Sequence, residues 1–486
     1  MKLADLKNKK IQIVGLSGAE GASTALFLLE LGCKNLVGHD YKTKAEFVAS
    51  LANYNRAWSK ARVREIVKLF QTIGYSTEKI IKIHYQDTYL AGINEAEIIF
   101  ATSSWFRYKV NEPLYLVNKQ KTKFWCWYNL LLEFFPGFLI GVTGTAGKGM
   151  VTNLLYHLIK KPNVYLFGDS WRELNLKEVF GKKNCTIIGE INNRVLTFAP
   201  ASAKSPNLVI ITNVVKNHLD DHHDRFIEYW ESKRNLVLFQ KKSGRALLNA
   251  DDPWVTKMQK FGHGKKLWYG KKGREAKVTK DAIVIKFGIK QEEYKLADMP
   301  FIGQHFYSNA ASSILAARLL GVSEKQVRER LKTFPVREGR MQKLGVKKEL
   351  TFIDDGAATR PIATLKAVEA LPIGKTWLLL QGSRKYESTD EFIKMVKMIG
   401  KKKVKLVLMS GGVEKIVQPL FKKYAAKVKF KVCSSMTQSF QQAVAGAKTG
   451  DCVLLSPSCE SFGEFKDYRE RSALFHKLYQ DLSSRA

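Results

Sequence analysis

Residues 138–155 read FLIGVTGTAGKGMVTNLL, an order that few folds accommodate. The apolar run at 138–142 predicts a buried strand. The glycine-rich turn GTAGKG (144–149) follows it and opens a helix over 150–159. Such a turn presents backbone N–H groups and the positive end of a helix dipole to an anion. Lys148 stands where it would reach the terminal phosphates of a nucleotide. The generic phosphate-loop formula is missed twice: position 142 is Val rather than Gly, and Gly149 follows the lysine where Ser or Thr would meet Mg²⁺. Spacing alone leaves a phosphate cradle and a plain strand-to-helix turn both open. Further on, an apolar strand at 208–212 ends at Asn213 and leads to HLDDHHD (218–224). Imidazoles and carboxylates at a strand's carboxyl end suit a metal and phosphates; the plain alternative is a polar loop. A helix over 226–238 carries Lys233, by itself a surface lysine.

Short apolar runs alternate with helical stretches along the whole chain, the pattern of an α/β protein with parallel sheets. The first block has a strand at 11–15, glycines at 15, 18 and 21, a helix at 22–31 and a strand at 35–38 ending in His39-Asp40. This order resembles a dinucleotide-binding half, although GLSGAEG misses the GxGxxG fingerprint. Residues 53–83 add a polar helical segment. The third block begins near 334, with strands expected at 350–353, 376–380, 404–409 and 452–455. Polar clusters follow at Asp354-Asp355, 382–385 and 456–461, and loops at carboxyl ends of parallel strands are where α/β folds bind ligands.

The length of 486 residues suggests about three domains. Hydrophobic residues at 45% and charged ones at 26% exclude wholesale disorder. The 80 Lys and Arg against 45 Asp and Glu leave a net +35, which raises nucleic-acid binding as a possibility. The lysines, however, come as scattered pairs without a basic tail or a nucleic-acid motif. A solvated basic surface that attracts small anions is the expectation, with no specific nucleic-acid partner. No apolar run reaches the roughly 18–20 residues of a membrane span, and the amino terminus has no signal-peptide layout. The six cysteines lack CxxC spacing, so neither a zinc knuckle nor a disulfide framework is indicated. A cytoplasmic protein is expected.

Seven segments in order together resemble the ATP-dependent Mur ligase family, and within it the MurD type. They are GVTGTAGKG, ITNVVKNHLDDH, the ESK of helix 226–238, GQHFYSNAA, FPVREGRM, FIDDGAAT and VLLSPSCESFGEFKDYRERS. The resemblance implies an α/β chain of three domains. These are a Rossmann-like UDP-substrate domain (1–110), a central P-loop ATPase-like domain with a parallel or mixed sheet (111–333), and a Rossmann-like amino-acid-binding domain (334–486). The implied reaction joins D-glutamate to UDP-N-acetylmuramoyl-L-alanine through an acyl phosphate, in peptidoglycan precursor synthesis. ATP and two Mg²⁺ ions are the implied cofactors, and a monomer is expected.

By the same resemblance Gly144, Thr145, Gly147, Lys148 and Gly149 would cradle the phosphates. Glu190, His218 and a carbamylated Lys233 would hold metal, with Lys148, His218 and Lys233 the catalytic set. His305, Asn309, Arg337 and Asp355 would meet the base and ribose. Ser17, Gly18 and Asp40 would serve the UDP end, and Thr359, Lys385, Ser461 and Tyr468 the D-glutamate. Hydroxyls with one cation suit a dicarboxylate.

The chain departs from the family pattern at several positions. Gly149 and Met150 replace hydroxyl residues, and a thioether is a poor ligand for hard Mg²⁺. Ala146 stands where Asn is usual, Asp169 where a substrate-contacting Asn is expected, Val336 for His and Ala357 for Lys. Ser104-Trp105 replaces a Pro-Gly pair. These changes motivate two rivals: a Mur-like ligase with another acceptor or amino acid, and a non-catalytic Mur-like protein that binds nucleotide or a partner.

Overall fold

The computed structural model describes residues 1–51, 64, 82–117, 122–168, 176–182, 184–217, 219–287, 290–336, 338–383, 388–461 and 464–482. Most of the polar segment expected at 53–83 lies outside them, as do Asp169, His218, Arg337 and Lys385. Contacts divide the chain into two compact units, Met1–Glu293 with Ser308–Glu324, and Tyr294–Tyr307 with Lys325–Ala486.

The first unit begins with five parallel strands, β1 (Ile11–Val14), β2 (Leu36–His39), β3 (Lys82–His84), β4 (Ile98–Ala101) and β5 (Lys123–Trp125), in the order β3-β2-β1-β4-β5. Every residue of β1 and β4 is buried, which is why both read as unbroken apolar runs instead of alternating. Helix α1 (Ala19–Leu31) starts three residues earlier than the sequence suggests, because Gly18 is already extended and caps it. At Gly21 a side chain would sit 2.3 Å from the carbonyl of Gly15, so glycine there lets the helix pack onto the turn.

A second sheet of nine strands comprises β6 (Phe138–Thr143), β7 (Val164–Phe167), β8 (Thr186–Glu190), β9 (Leu208–Ile211), β10 (Arg245–Asn249), β11 (Lys265–Gly270), β12 (Ala276–Val278), β13 (Ala282–Phe287) and β14 (Lys290–Lys295). Their order is β14-β13-β12-β11-β10-β9-β6-β8-β7. The strands from β7 to β12 pair in parallel, and the β12–β13 pair is antiparallel. Around it run α2 (Lys148–Ile159), α3 (Phe226–Leu238) and α4 (Gln304–Leu319). On α3, Tyr229, Lys233, Leu236 and Val237 are all buried, and their spacing puts them on one helix face. That face packs on the sheet, where a side chain at Gly141 would meet Leu236 at 3.0 Å. The two sheets of this unit share one apolar core that runs from Ile11 and Trp125 to Ile211 and Val237. Each fully buried Leu, Ile or Phe in it contributes ~1.5–3 kcal/mol of transfer free energy.

Among its described residues the second unit contains a sheet of six strands, β15 (Gln342–Lys347), β16 (Leu350–Asp354), β17 (Thr376–Gln381), β18 (Leu406–Ser410), β19 (Phe430–Val432) and β20 (Cys452–Ser458), in the order β15-β16-β20-β17-β18-β19. Only β15 runs antiparallel. Core residues pack on both faces of the sheet. Its helices include α5 (Pro361–Ala370) and α6 (Tyr468–Asp481). No helix among the described residues is long and apolar enough to cross a membrane.

Candidate active site

In the first unit the turn after β6 is pinned from the end of β9. Gly144 has φ +149°, and a side chain on it would sit 1.9 Å from Thr212 Oγ1. Thr212 Oγ1 instead donates to the Ala146 carbonyl at 2.6 Å. Asn213 accepts from the Ala146 amide at 3.0 Å and donates back to its carbonyl at 2.9 Å. The Thr145 amide donates to the Asn213 carbonyl, and Thr145 Oγ1 lies 2.9 Å from the Tyr229 hydroxyl. Gly147, at φ +87°, is the cap of α2. A side chain there would strike Asn309 at 2.6 Å. Because Gly147 is left-handed, the helix opens at Lys148, two residues before the expected start, and the lysine occupies its first turn.

Two ammonium groups converge on this turn. Lys148 Nζ donates to the carbonyls of Gly144 (3.2 Å) and Thr145 (3.3 Å), and Lys233 Nζ donates to the same Gly144 carbonyl at 3.0 Å. The Glu190 carboxylate, at the carboxyl end of β8, is 3.7 Å from Lys148. Lys233 is 1% exposed, and its pKa falls from the usual 10.5 to about 7. Burial is the main cause and the Lys148 charge the second, with Glu190 opposing both. The Tyr229 ring lies 4.6 Å from this amine. A pinned strand-to-helix turn with two cations and one carboxylate is a place where an anion with its counter-cation would be stabilised.

At the carboxyl edge of the first sheet, the buried Asp40 carboxylate accepts the Ser17 amide at 2.6 Å and the Lys42 amide at 3.2 Å. Lys42 Nζ donates to Ser17 Oγ at 3.0 Å. Ser17, Gly18 and Asp40 are therefore brought together. Loop 102–107 runs alongside, with Ser103 donating to Glu20. Arg107 then reaches across to the loop after β9. It donates to Asp220 at 2.7 Å and to the buried Asp221, which also accepts Arg194 Nε at 2.7 Å. Burial opposes ionisation of Asp221, but the hydrogen bonds from Arg194 and Arg107 outweigh it and hold the carboxyl below its usual range. This clamp, and the part played by Thr212, Asn213 and Tyr229 in holding the turn, had no sequence signal beyond a polar strand end.

In the second unit Asp355 is 6% exposed and faces inward. It accepts Ser456 Oγ at 2.8 Å and the Met341 amide at 3.2 Å, and burial pushes its carboxyl up to about 7. Thr359 and Tyr468 are half-buried, Tyr468 at the start of α6, while Ser461 is buried. His305 is exposed, its ring against Phe306. Asn309, one turn further along α4, is buried and donates towards the Met150 sulfur at 3.8 Å.

Residues 142–317 match the Mur ligase middle domain, and 339–459 match the Mur ligase glutamate ligase domain. The chain belongs to the Mur ligase family. Members of this family are ATP-dependent ligases that form amide bonds. The chain is 26% identical over 494 residues to the UDP-N-acetylmuramoylalanine--D-glutamate ligase of Caldanaerobacter subterraneus, covering 98% of this chain and 99% of that one. It is 29% identical over 370 residues to the enzyme of the same name from Elusimicrobium minutum, covering 71% and 76%. Its fold is similar to that of a pseudomurein peptide ligase type C from Methanothermus fervidus (TM-score 0.51, 17% identity, 98% and 100% coverage). It is also similar to a UDP-N-acetylmuramoyl-L-alanyl-D-glutamate--2,6-diaminopimelate ligase (TM-score 0.57, 15% identity, 79% and 92%).

Mur ligases use Mg²⁺ with ATP, and the donor set here fits such an ion. Magnesium held with a nucleotide takes one or two protein carboxylates and fills its remaining positions with phosphate oxygens and water. Glu190, half-buried and beside Lys148, supplies such an oxygen. Gly149 and Met150 supply none. The Gly149 carbonyl accepts Thr152 Oγ1 and Asn153 Nδ2 inside the helix.

Proposed function

We propose that this Mur ligase joins D-glutamate to UDP-N-acetylmuramoyl-L-alanine. The observation that carries the reading is the convergence of Lys148, Lys233 and Glu190 on the Gly144–Thr145 turn, together with full-length relatives that bear that name. Residues 1–110 would hold the UDP end at Ser17, Gly18 and Asp40, residues 111–333 the ATP, and residues 334–486 the amino acid at Thr359, Lys385, Ser461 and Tyr468. Asn309 and His305 would face the nucleoside with Arg337. Asp355, turned inward onto Ser456, would act on the nucleotide only by shaping that loop.

Chemically, an acceptor carboxylate oxygen bonds to the γ-phosphorus as the bond to ADP breaks, giving an acyl phosphate. The amine of D-glutamate then attacks the acyl carbon, and the tetrahedral intermediate collapses with loss of phosphate and a proton. Lys148, freed from its backbone carbonyls, would follow the negative charge on the transferring phosphoryl oxygens. Glu190 and His218 would hold Mg²⁺, which supplies charge neutralisation at those oxygens. Lys233 would be carbamylated. Its depressed pKa leaves about half the amine neutral near pH 7, and only a neutral amine reacts with CO₂. The resulting anion would replace a buried cation beside the metal site and allow a second ion.

The test is phosphate release from Mg-ATP with UDP-N-acetylmuramoyl-L-alanine, with and without each of several amino acids, and with the product mass determined. Release that depends on D-glutamate and yields the adduct is expected. Lys148→Ala should abolish it while leaving acceptor binding intact. Turnover with a different amino acid, or none by folded protein that binds nucleotide, would overturn the assignment.

A further inference from the structure

The net charge of +35 exceeds what the proposed ligase site uses, and six of the cations gather at one place. They are Lys265 on β11, Lys271, Lys272 and Arg274 in the turn that follows, Lys277 on β12 and Lys286 on β13. All six are exposed and line one concavity of about 740 Å³. Its floor is apolar, made by Leu267 with Leu315 and Leu319 of α4. Among the described residues none of the six side chains makes an ion pair or a side-chain hydrogen bond. Glu275 also lines the hollow, and it and Asp251 hold backbone amides while keeping their charge. Glu275 accepts the Trp268 amide at 2.6 Å, and Asp251 accepts the amides of Lys271 and Lys272 at 2.7 and 2.9 Å. Asp251 thus fixes the shape of the turn, which aims its side chains outward.

Like charges held around one hollow repel each other and work against the fold, and against the six cations the lining holds one carboxylate, Glu275. We propose that the concavity is a binding site for a small polyphosphorylated anion, distinct from the phosphate loop. Strand β11 is three strands away from β6 in the sheet order, so the two sites are separate. The occupant is compact rather than polymeric for a geometric reason. The volume lies in the roughly 300–1,000 Å³ range of small-ligand pockets, and the cations ring a hollow. A single-stranded nucleic acid would call for a basic groove with interleaved aromatic platforms. A membrane surface would call for an amphipathic apolar face. The leucine floor has room for an organic portion between the phosphates.

The probe is inorganic tripolyphosphate, titrated calorimetrically into the full chain with the phosphate loop filled by excess ADP. One equivalent is expected to bind. Combined substitution of Lys271→Ala, Arg274→Ala and Lys286→Ala should weaken it at least tenfold and leave ligase turnover unchanged. The same loss of charge at the exposed Lys422, Lys427 and Lys429 of the second unit should leave binding unaltered. At low salt the first triple variant should also unfold at a higher temperature than the parent. Three outcomes would overturn the proposal: no tripolyphosphate binding, equal weakening by both triple variants (which would mean diffuse charge), or tighter binding of single-stranded RNA or phosphatidylglycerol vesicles through the same three residues. None of these outcomes bears on the ligase assignment, which rests on other residues.

Discussion

Replacing Lys233 by Met should stabilise the protein while removing the amine on which the proposed chemistry depends. The side chain is 1% exposed and its ammonium faces a second cation, Lys148. Its pKa falls from 10.5 to about 7, and each pH unit of displacement corresponds to ~1.4 kcal/mol against the protonated form. A folded-state pKa below the unfolded value penalises folding fully at pH values under about 7. The penalty shrinks as pH rises and vanishes near 10.5. At pH 7 it amounts to roughly 4 kcal/mol, and at pH 9 to roughly 2. Methionine, similar in length, loses the hydrogen bond to the Gly144 carbonyl, which costs about 1 kcal/mol. The variant should therefore gain roughly 3 kcal/mol at pH 7 and about 1 kcal/mol at pH 9. Urea denaturation of both proteins in bicarbonate-free buffer at the two pH values gives the answer. A Lys233→Met protein less stable than the parent at pH 7, or a difference that does not change with pH, would refute the claim that a desolvated cation sits under the turn.

Three other perturbations test the rest of the frame. Gly144→Ala puts a methyl 1.9 Å from Thr212 Oγ1 at φ +149°; strain on the order of 1–3 kcal/mol and a loss of ADP affinity by calorimetry should follow, and unaltered affinity would mean the turn is not the cradle. Arg107→Ala leaves the buried Asp221 with Arg194 alone, so ~1–3 kcal/mol should be lost in urea denaturation, and Arg107→Lys should recover only part of it because an ammonium cannot span two carboxylates in a fork. Asp355 has its carboxyl raised from 3.8 to about 7 by burial, so wild-type stability should fall as pH rises from about 4 to 7. Asp355→Asn should lack that slope and gain up to ~4 kcal/mol on the parent between those limits; parallel pH profiles of the two proteins would count against the inward carboxyl.

Much of the fold was legible because its rules act over a few residues. The helix expected at 226–238 is α3 with the same bounds, and the strand expected at 208–212 is β9 at Leu208–Ile211. Unbroken apolar runs between turn residues read directly as strands buried on both faces. Some boundaries moved through capping geometry, as at Lys148, which Gly147 brings into the first turn of α2, while Lys82 and Ile83, expected in a helical segment, belong to β3. The partly exposed β14 and β15 were passed over because their alternating polar residues resemble loops.

The principal strands and helices around the turn after β6, the glycines that allow it, and the family resemblance are all written along the chain. Periodicity, steric exclusion and motif order are properties of neighbours along the chain. Tertiary structure alone decided what the charged groups do. Lys233 meets Gly144 across 89 residues of sequence, and Arg107 meets Asp221 across 114. The apparent surface lysine of α3 became a buried amine with a pKa near 7, and Asp355 took Ser456 and the Met341 amide as partners. Ionisation depends on desolvation and on the charges nearby in space, and neither exists until the chain has folded.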